Sequence, residues 1–305
     1  MSKTLAIIPL FLMIVPPNAA CAQAPEAARA DSLRSVAQQQ PASQTQSFTS
    51  VEGADLAARL AEASRKARAA APQTPYWTAY TFDVRPGVAV DPGRGEFSGS
   101  MHTNGDTSVF IGTSHGVRVE TPDLGVFILR EPGRGDAVTR MEVYNLQRRR
   151  EYSGYPVYWA ARASNEESLN YLRGLAESHP KSELQERAAL ALALHDDARV
   201  AGLLKNLSRA SRNMRVRKTA VFWLGQTGGE TEYLAGIVRD ERENEELRET
   251  AAHAIGESRD QQALTALQGL YDAVRNREVR QAIIHAAAEN ENRDAAYAFL
   301  LRVAR

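Results

Sequence analysis

Three arginines recur at an even spacing in the second half of the chain, as Arg217, Arg248 and Arg280. A guanidinium group binds carboxylates through paired hydrogen bonds, so a row of three arginines could bind an acidic partner. Alternatively, each arginine could pair with an acidic residue in a neighbouring turn, and the sequence supplies Asp240, Glu241, Glu243, Glu245, Asp260 and Asp272. Either role requires structural elements that repeat with the spacing of the arginines.

Phe222 and Trp223 are larger than the residues at the matching positions of the other repeats. Exposed aromatic side chains of this kind would anchor a protein partner, whereas buried ones would fill a core. A second aromatic group nearer the N-terminus could stack on a sugar or a peptide, or could seal a junction between domains. Its members are Trp77, Tyr155, Tyr158 and Trp159.

The remaining candidate motifs favour neither catalysis nor a metal or cofactor site. His253 and His285 share a column, but no carboxylate or third histidine joins them there, so we expect packing or surface positions. Residues 112–116 match G-x-S-x-G, yet a predicted strand follows them and favours a hairpin turn. Residues 134–136 spell Arg-Gly-Asp after a Pro-Gly pair, which is ordinary turn composition. We therefore predict that the protein is not an enzyme.

Composition narrows the class of partner. The 305 residues include 37 basic and 37 acidic ones, so the formal net charge is zero. Nucleic-acid binding needs a net basic face, and we therefore expect no nucleic acid as a partner. The single cysteine excludes a disulfide framework.

The first 22 residues predict a signal peptide. Lys3 precedes an apolar stretch, Leu5 to Val15, that is too short to span a membrane, and a cleavage site follows at Ala20-Cys21-Ala22. We expect an exported chain without a membrane span and place it in the periplasm, with secretion as one alternative. The other alternative is an outer-membrane lipoprotein anchored at Cys21, although Asn18 stands where such signals have an apolar residue.

Two segments separate the signal peptide from the first domain. Residues 23–50 are rich in Ala, Gln and Ser and predict a disordered tether. Residues 51–72 predict an amphipathic helix that packs on a domain, with Thr49 and Glu52 as a capping box. Its apolar face would consist of Leu56, Leu60, Ala63 and Ala67.

The rest of the chain predicts an α+β protein of two domains. In residues 76–162, short apolar runs alternate with turn pairs such as Asn104-Gly105, as in a small antiparallel β domain. At Ser164 a capping box with Glu167 opens a helical region, and residues 163–305 contain no further strand signal.

Four segments of the helical region align without gaps, starting at Leu184, Val216, Leu247 and Val279. Their spacing of about 32 residues is typical of an α-solenoid, in which helix pairs stack side by side. One column holds only small residues, so neighbouring helices should approach closely there. Its members are Ala193, Gly225, Gly256 and Ala288.

Residues 216–228 and their copy at 247–256 follow the pattern apolar-Arg-x-x-Ala…Leu-Gly. This pattern resembles the short HEAT repeats of phycobilisome bilin lyases. The segment from Ala220 to Gln226 is similar to segments of exported bacterial HEAT-repeat proteins that carry a β-rich region before the array. The resemblance covers residues 165–305; the first copy departs at Gln185, and the last lacks the Leu-Gly pair. It implies a right-handed superhelix of helix pairs that binds protein, and it implies no reaction.

These observations together predict an exported scaffold or adaptor that binds a protein partner on the surface of the array. The helices that carry the arginine column would line the binding face. One alternative is an envelope protein that binds glycan or peptide through the β domain. The other is a bilin-lyase-like enzyme, which rests only on the family name and conflicts with the export signal and the lack of a cysteine in the mature chain.

Overall fold

In the computed structural model, which describes residues 48–93, 96–290 and 292–304, a strand-rich region precedes an array of helices. This confirms the predicted α+β arrangement. The signal peptide, Cys21 and the predicted tether up to residue 47 lie outside the described residues. The tether's last residues form strand β1, Thr49–Ser50.

Helix α1 spans Leu56–Ala70 and begins later than its predicted capping box. The prediction of Thr49 and Glu52 as caps is wrong, because Thr49 pairs with a strand of the larger sheet. Asp55 caps the helix instead, and its carboxylate accepts a hydrogen bond of 2.7 Å from the Ala58 amide. The predicted apolar face is confirmed, since its four members are all buried: Leu56, Leu60, Ala63 and Ala67.

The larger sheet has five strands in the order β1-β9-β2-β7-β8. Its further strands are β2 (Tyr76–Thr81), β7 (Leu124–Glu131), β8 (Ala137–Asn145) and β9 (Val157–Arg162). Strands β2, β7 and β8 are antiparallel neighbours, whereas β9 runs parallel to β1 and β2. The sheet is therefore mixed and not purely antiparallel as predicted, because residues 146–156 cross from one side of the sheet to the other before β9 begins.

The smaller sheet is antiparallel and consists of β3 (Ala89–Val90), β4 (Ser98–Asn104), β5 (Thr107–Ser114) and β6 (Val117–Arg118). The predicted hairpin at Asn104-Gly105 joins β4 to β5. The G-x-S-x-G segment ends in the hairpin turn between β5 and β6, as predicted, and His115 and Gly116 take φ angles of 50° and 77° there.

The Arg-Gly-Asp tripeptide lies in the turn between β7 and β8, as predicted. Its aspartate does not face solvent freely, because the Asp136 carboxylate accepts hydrogen bonds from Ser64 and Arg68 of α1. The tripeptide thus helps to fix α1 against the larger sheet.

The helical region contains two alternating sets of helices after α2, Asn165–Ser178, which opens with the predicted Ser164 and Glu167 capping box. The four aligned segments form the motif helices: α3 (Ser182–Ala193), α5 (Met214–Thr227), α7 (Glu245–Gly256) and α9 (Arg277–Glu289). Between and after them lie the partner helices: α4 (Arg199–Ala210), α6 (Thr231–Arg239), α8 (Ala263–Ala273) and α10 (Arg293–Val303). Among the described helices, none is both long and apolar enough to cross a membrane.

The small-residue column brings neighbouring motif helices into backbone contact. A Cβ atom added at Gly225 would lie 2.3 Å from the carbonyl oxygen of Ala254, and one at Gly256 would lie 2.5 Å from that of Ala286. No side chain fits at such distances unless a helix moves. This confirms the close approach that the sequence predicts.

Gly225→Ala and Gly256→Ala should each lower the free energy of unfolding by about 1–3 kcal/mol, because the added methyl group overpacks the helix contact. Gly269→Ala is the matched control, since a Cβ at Gly269 in α8 would meet no atom within 4 Å. This control should gain up to about 1 kcal/mol from helix propensity. Urea titration followed by circular dichroism measures all three. Equal stability of Gly225→Ala and Gly269→Ala would contradict the close contact.

One continuous core extends from α1 through the inner face of the larger sheet into the helices, and Tyr80, Leu190 and Trp223 all belong to it. A second, separate core covers the outer face of the sheet around Trp77 and Phe127. The predicted aromatic group is divided between the two, since Tyr158 belongs to the inner core while Trp159 packs on the outer one. The alternation of side chains along β9 explains why this group does not act together to seal the domain junction.

Candidate functional site

The strands pack on the motif helices of the first two repeats. Arg187 of α3 donates a hydrogen bond of 2.9 Å to the Met141 carbonyl and pairs with the buried Glu142 of β8. In the second repeat, the ring of Phe222 stacks on His102 of β4 with 5.1 Å between centroids. This face of α3 and α5 is therefore covered by the chain's own strands.

A short backbone ladder also joins the strands to the turn after α3. The Arg85 amide donates to the Leu194 carbonyl at 2.9 Å, and the Asp196 amide donates to the Asp83 carbonyl at 2.8 Å. Between these bonds lies His195, whose ring stacks on Phe82 at 4.0 Å. The strand-rich region and the array are thus joined by backbone pairing as well as by packing.

The His195 ring is held by hydrogen bonds at both nitrogens. Nδ1 lies 2.9 Å from the Ala191 carbonyl, so it carries the proton of the neutral ring, and Nε2 lies 2.8 Å from the Ser168 hydroxyl. A serine beside a histidine is also the arrangement of a nucleophile and its base. Here both residues are enclosed, with 0% and 2% exposure, so a substrate has no access and the pair serves packing.

The first arginine of the column, Arg217, lines a cleft of about 390 Å³ beside Tyr233 and Glu243. Arg217 donates to the Ser208 carbonyl at 2.6 Å and forms a two-pronged ion pair with Glu243, at 2.5 and 3.1 Å. The hydrogen bonds from Arg217 hold the pKa of Glu243 below its usual value. Arg217 thus ties the end of α4 to the turn before α7.

Arg248 and Arg280 make related contacts one and two repeats further on. Arg248 is only 5% exposed and donates to the Val238 carbonyl at 2.9 Å, near the end of α6. The Arg280 guanidinium lies 4.1 Å from the centre of the Tyr271 ring in α8. A cation near the C-terminus of a helix is favourable because the terminal carbonyls carry partial negative charge. Partner binding by this column stays a prediction, and the contacts give each arginine a packing role.

Phe222 and Trp223 belong to the junction with the strands. Trp223 has 0% exposure and meets Phe222 edge to face at 5.3 Å. Phe222 is half-buried beneath His102, and burial there lowers the pKa of His102. Trp223 therefore has no surface to offer a partner in this conformation, and its core-filling role is the one that the structure shows.

In the last two repeats, the positions that align with Phe222 are His253 in α7 and His285 in α9. We call this part of the motif-helix surface the open face, and its residues are Glu246, Glu249, His253, Gln281, His285 and Glu289. Four of them are exposed, whereas Glu249 and His253 are half-buried. The open face thus presents three carboxylates and two imidazoles, and its histidines occupy the column that holds the buried Leu190 and the strand-packed Phe222 in the first two repeats.

Neither histidine of the open face takes part in a metal site. Within residues 48–93, 96–290 and 292–304, no group of three or more His, Cys, Asp or Glu side chains could hold a metal ion. The open face therefore offers charge and hydrogen bonds to a ligand, and its Lys218 neighbour pairs with Glu246 at 3.3 Å.

Comparison with known proteins gives a family match in the helical region. A search of curated proteins found no similar chain. Residues 200–288, which cover most of α4 to α9, match the family model for HEAT repeats. Together with the stacked helix pairs, this match supports a HEAT-repeat protein.

Proposed function

We propose that this chain is an exported scaffold without enzymatic activity that binds a protein partner on the open face. HEAT repeats are generally surfaces for protein interaction, since stacked repeats form an extended array without a reactive pocket. One observation carries the proposal: the strands cover the motif helices of the first two repeats and leave those of the last two accessible. Export to the periplasm rests on the signal peptide that residues 1–22 predict.

Charge indicates the kind of partner. The open face carries Glu246, Glu249 and Glu289, and the one lysine beside it is already paired with Glu246. Carboxylates of like sign at an interface attract a partner of opposite sign and repel other acidic surfaces. We therefore expect the partner to bind the open face through a basic segment.

A site-specific crosslink in the exporting cell tests this proposal. A photoreactive residue in place of His285 should capture a protein through a basic segment, while the same residue in place of Gly269 on a partner helix should not. Reversing two charges with Glu249→Lys and Glu289→Lys should abolish the capture. Glu241→Lys, in an exposed loop, is the control for added positive charge. Equal capture at positions 285 and 269, or capture that survives the double reversal, would contradict the proposal.

A second candidate function is the binding of envelope glycan or peptide by the outer aromatic core. Phe48 stacks on Trp159 with 5.5 Å between ring centroids, and both are half-buried, so part of each ring is accessible. Aromatic rings of this kind can cover the apolar face of a sugar. A pull-down of the full chain with peptidoglycan, compared with Trp159→Ala, tests this function; unchanged binding by the variant would exclude these rings.

A further inference from the structure

A cleft of about 270 Å³ lies where the strands meet the C-terminal ends of α5 and α7. Three arginines, Arg85, Arg118 and Arg259, line it from separate elements, and no carboxylate does. The other walls are apolar side chains and backbone, namely Pro86, Gly87, Val88 and Ile111 on the strand side and residues 225–228 on the helix side. Three cations without an acid among them form an unusual lining for a cleft in a protein of zero net charge.

Arg85 is the most enclosed of the three. One nitrogen donates to the Gln226 carbonyl, and the guanidinium lies 6.0 Å from the centre of the buried Trp223 ring. The other terminal nitrogen, Nη1, is buried and has no acceptor among the described residues. A buried donor without an acceptor is unfavourable, and more so when it is charged. Burial also lowers the pKa of Arg85.

The position of Arg118 depends on Gly87. A Cβ atom at Gly87 would lie 1.7 Å from an Arg118 nitrogen, so only glycine lets this guanidinium lie across the turn. Gly87 also has a φ angle of 78°, which glycine adopts without strain. The turn is therefore shaped to admit the arginine to the cleft.

Acidic residues near the cleft do not neutralise it. Glu120 lies 3.8 Å from Arg118, where both side chains are about half exposed, so solvent weakens their attraction. Asp196 attracts Arg85 at longer range, and Glu257 accepts a hydrogen bond of 3.2 Å from Gln226. Arg259 is exposed and has no ion pair among the described residues. The interior of the cleft therefore retains a positive potential, and Arg85 Nη1 lacks an acceptor there.

We propose that this cleft binds a phosphate group, either as inorganic phosphate or as a phosphate monoester. Arginine forks bind phosphate oxygens in pairs, and a tetrahedral group offers oxygens to forks that approach from different sides. A carboxylate has two oxygens in one plane and a single charge, so it serves three separate guanidinium groups less well. The bound group would supply the acceptor that Arg85 lacks and would bridge the strands and the array.

Calorimetric titration of the full chain with inorganic phosphate, at ionic strength matched with chloride, tests this site. We expect saturable binding at one site, with a dissociation constant of about 1 mM or lower. Arg259→Gln and Gly87→Ala should each weaken binding by about tenfold or more, the first by removing a fork and the second by displacing Arg118. Arg275→Gln, another exposed arginine, should change the affinity by less than about twofold.

Further measurements distinguish loss of phosphate binding from loss of folding and identify the kind of ligand. Since Arg259 is exposed, Arg259→Gln should keep the melting temperature, so loss of binding in that variant cannot come from unfolding. Glycerol phosphate in place of phosphate shows whether the natural ligand is an ester, which would bind more tightly. No saturable heat up to about 10 mM phosphate, unchanged binding by Arg259→Gln, or binding of acetate as tight as that of phosphate would each overturn the proposal. The test is independent of the open face.

Discussion

Replacing Glu142 with alanine should lower the free energy of unfolding by about 3–5 kcal/mol, because the change removes the buried partner of Arg187 and leaves it only the exposed Glu183. The Glu142 side chain is fully buried and that of Arg187 is 10% exposed. Besides Arg187, the carboxylate accepts hydrogen bonds of 3.0 Å from Arg140 and from the Thr107 hydroxyl. These bonds connect both sheets to the first motif helix, so their loss should weaken the whole junction.

Chemical denaturation of the full chain, followed by tryptophan fluorescence, measures this effect. Glu62→Ala removes the partner of the exposed Arg65 on the surface of α1 and should leave the stability nearly unchanged. The double variant Glu142→Leu with Arg187→Met replaces the ion pair with apolar side chains and should regain most of the loss. If the double variant is as unstable as Glu142→Ala, the unpaired charge is not the cause.

Acidification from pH 6.5 to 4.5 should lower the free energy of unfolding by about 2–3 kcal/mol through His195 alone. Burial lowers the pKa of His195 from 6.5 to about 4 in the folded chain. Over this pH range His195 binds a proton in the unfolded chain and stays neutral in the folded chain. The free energy of unfolding therefore falls as the pH falls. The burial of His102 lowers its pKa too and adds a loss of the same sign.

Unfolding midpoints in urea at a series of pH values test this dependence. His195→Gln keeps a polar side chain without the titration, and its stability should fall less steeply, by about 1 kcal/mol per pH unit, than that of the unchanged protein. His285→Gln, at an exposed position, is the matched control for replacing a histidine with glutamine. Parallel slopes for His195→Gln and the original chain would show that His195 titrates normally.

The period of about 32 residues was sufficient to predict the array, because every helix pair must bury apolar side chains at the same aligned positions. The motif helices lie on the four aligned segments, and the small column at Gly225 and Gly256 marks their closest approach. The strand order was harder to predict, since β9 reaches its place by a long crossover that local alternation does not encode. The cap of α1 was missed for a similar reason, because the pairing of Thr49 with β9 removes it from the helix.

The site was the least predictable part, because it depends on which helix faces the strands cover. A signal was present in the first repeat, where Arg187 stands in a column that holds Thr219, Thr250 and Ala282 elsewhere. A lone charge among small residues indicates an outside partner, and Glu142 is that partner. The three arginines of the cleft lie far apart in sequence and carried no shared pattern.

In the continuous inner core, the strands bury apolar side chains of the helices, and the helices bury those of the strands. Trp223 has 0% exposure and meets His102 of the smaller sheet edge to face, so loss of the sheets would expose it. A protease that removed the strand-rich region would expose the apolar side chains of the first two repeats to solvent. The remaining helices would then aggregate or be degraded. Turnover of this protein should therefore proceed by the loss of whole molecules, without a surviving helical fragment.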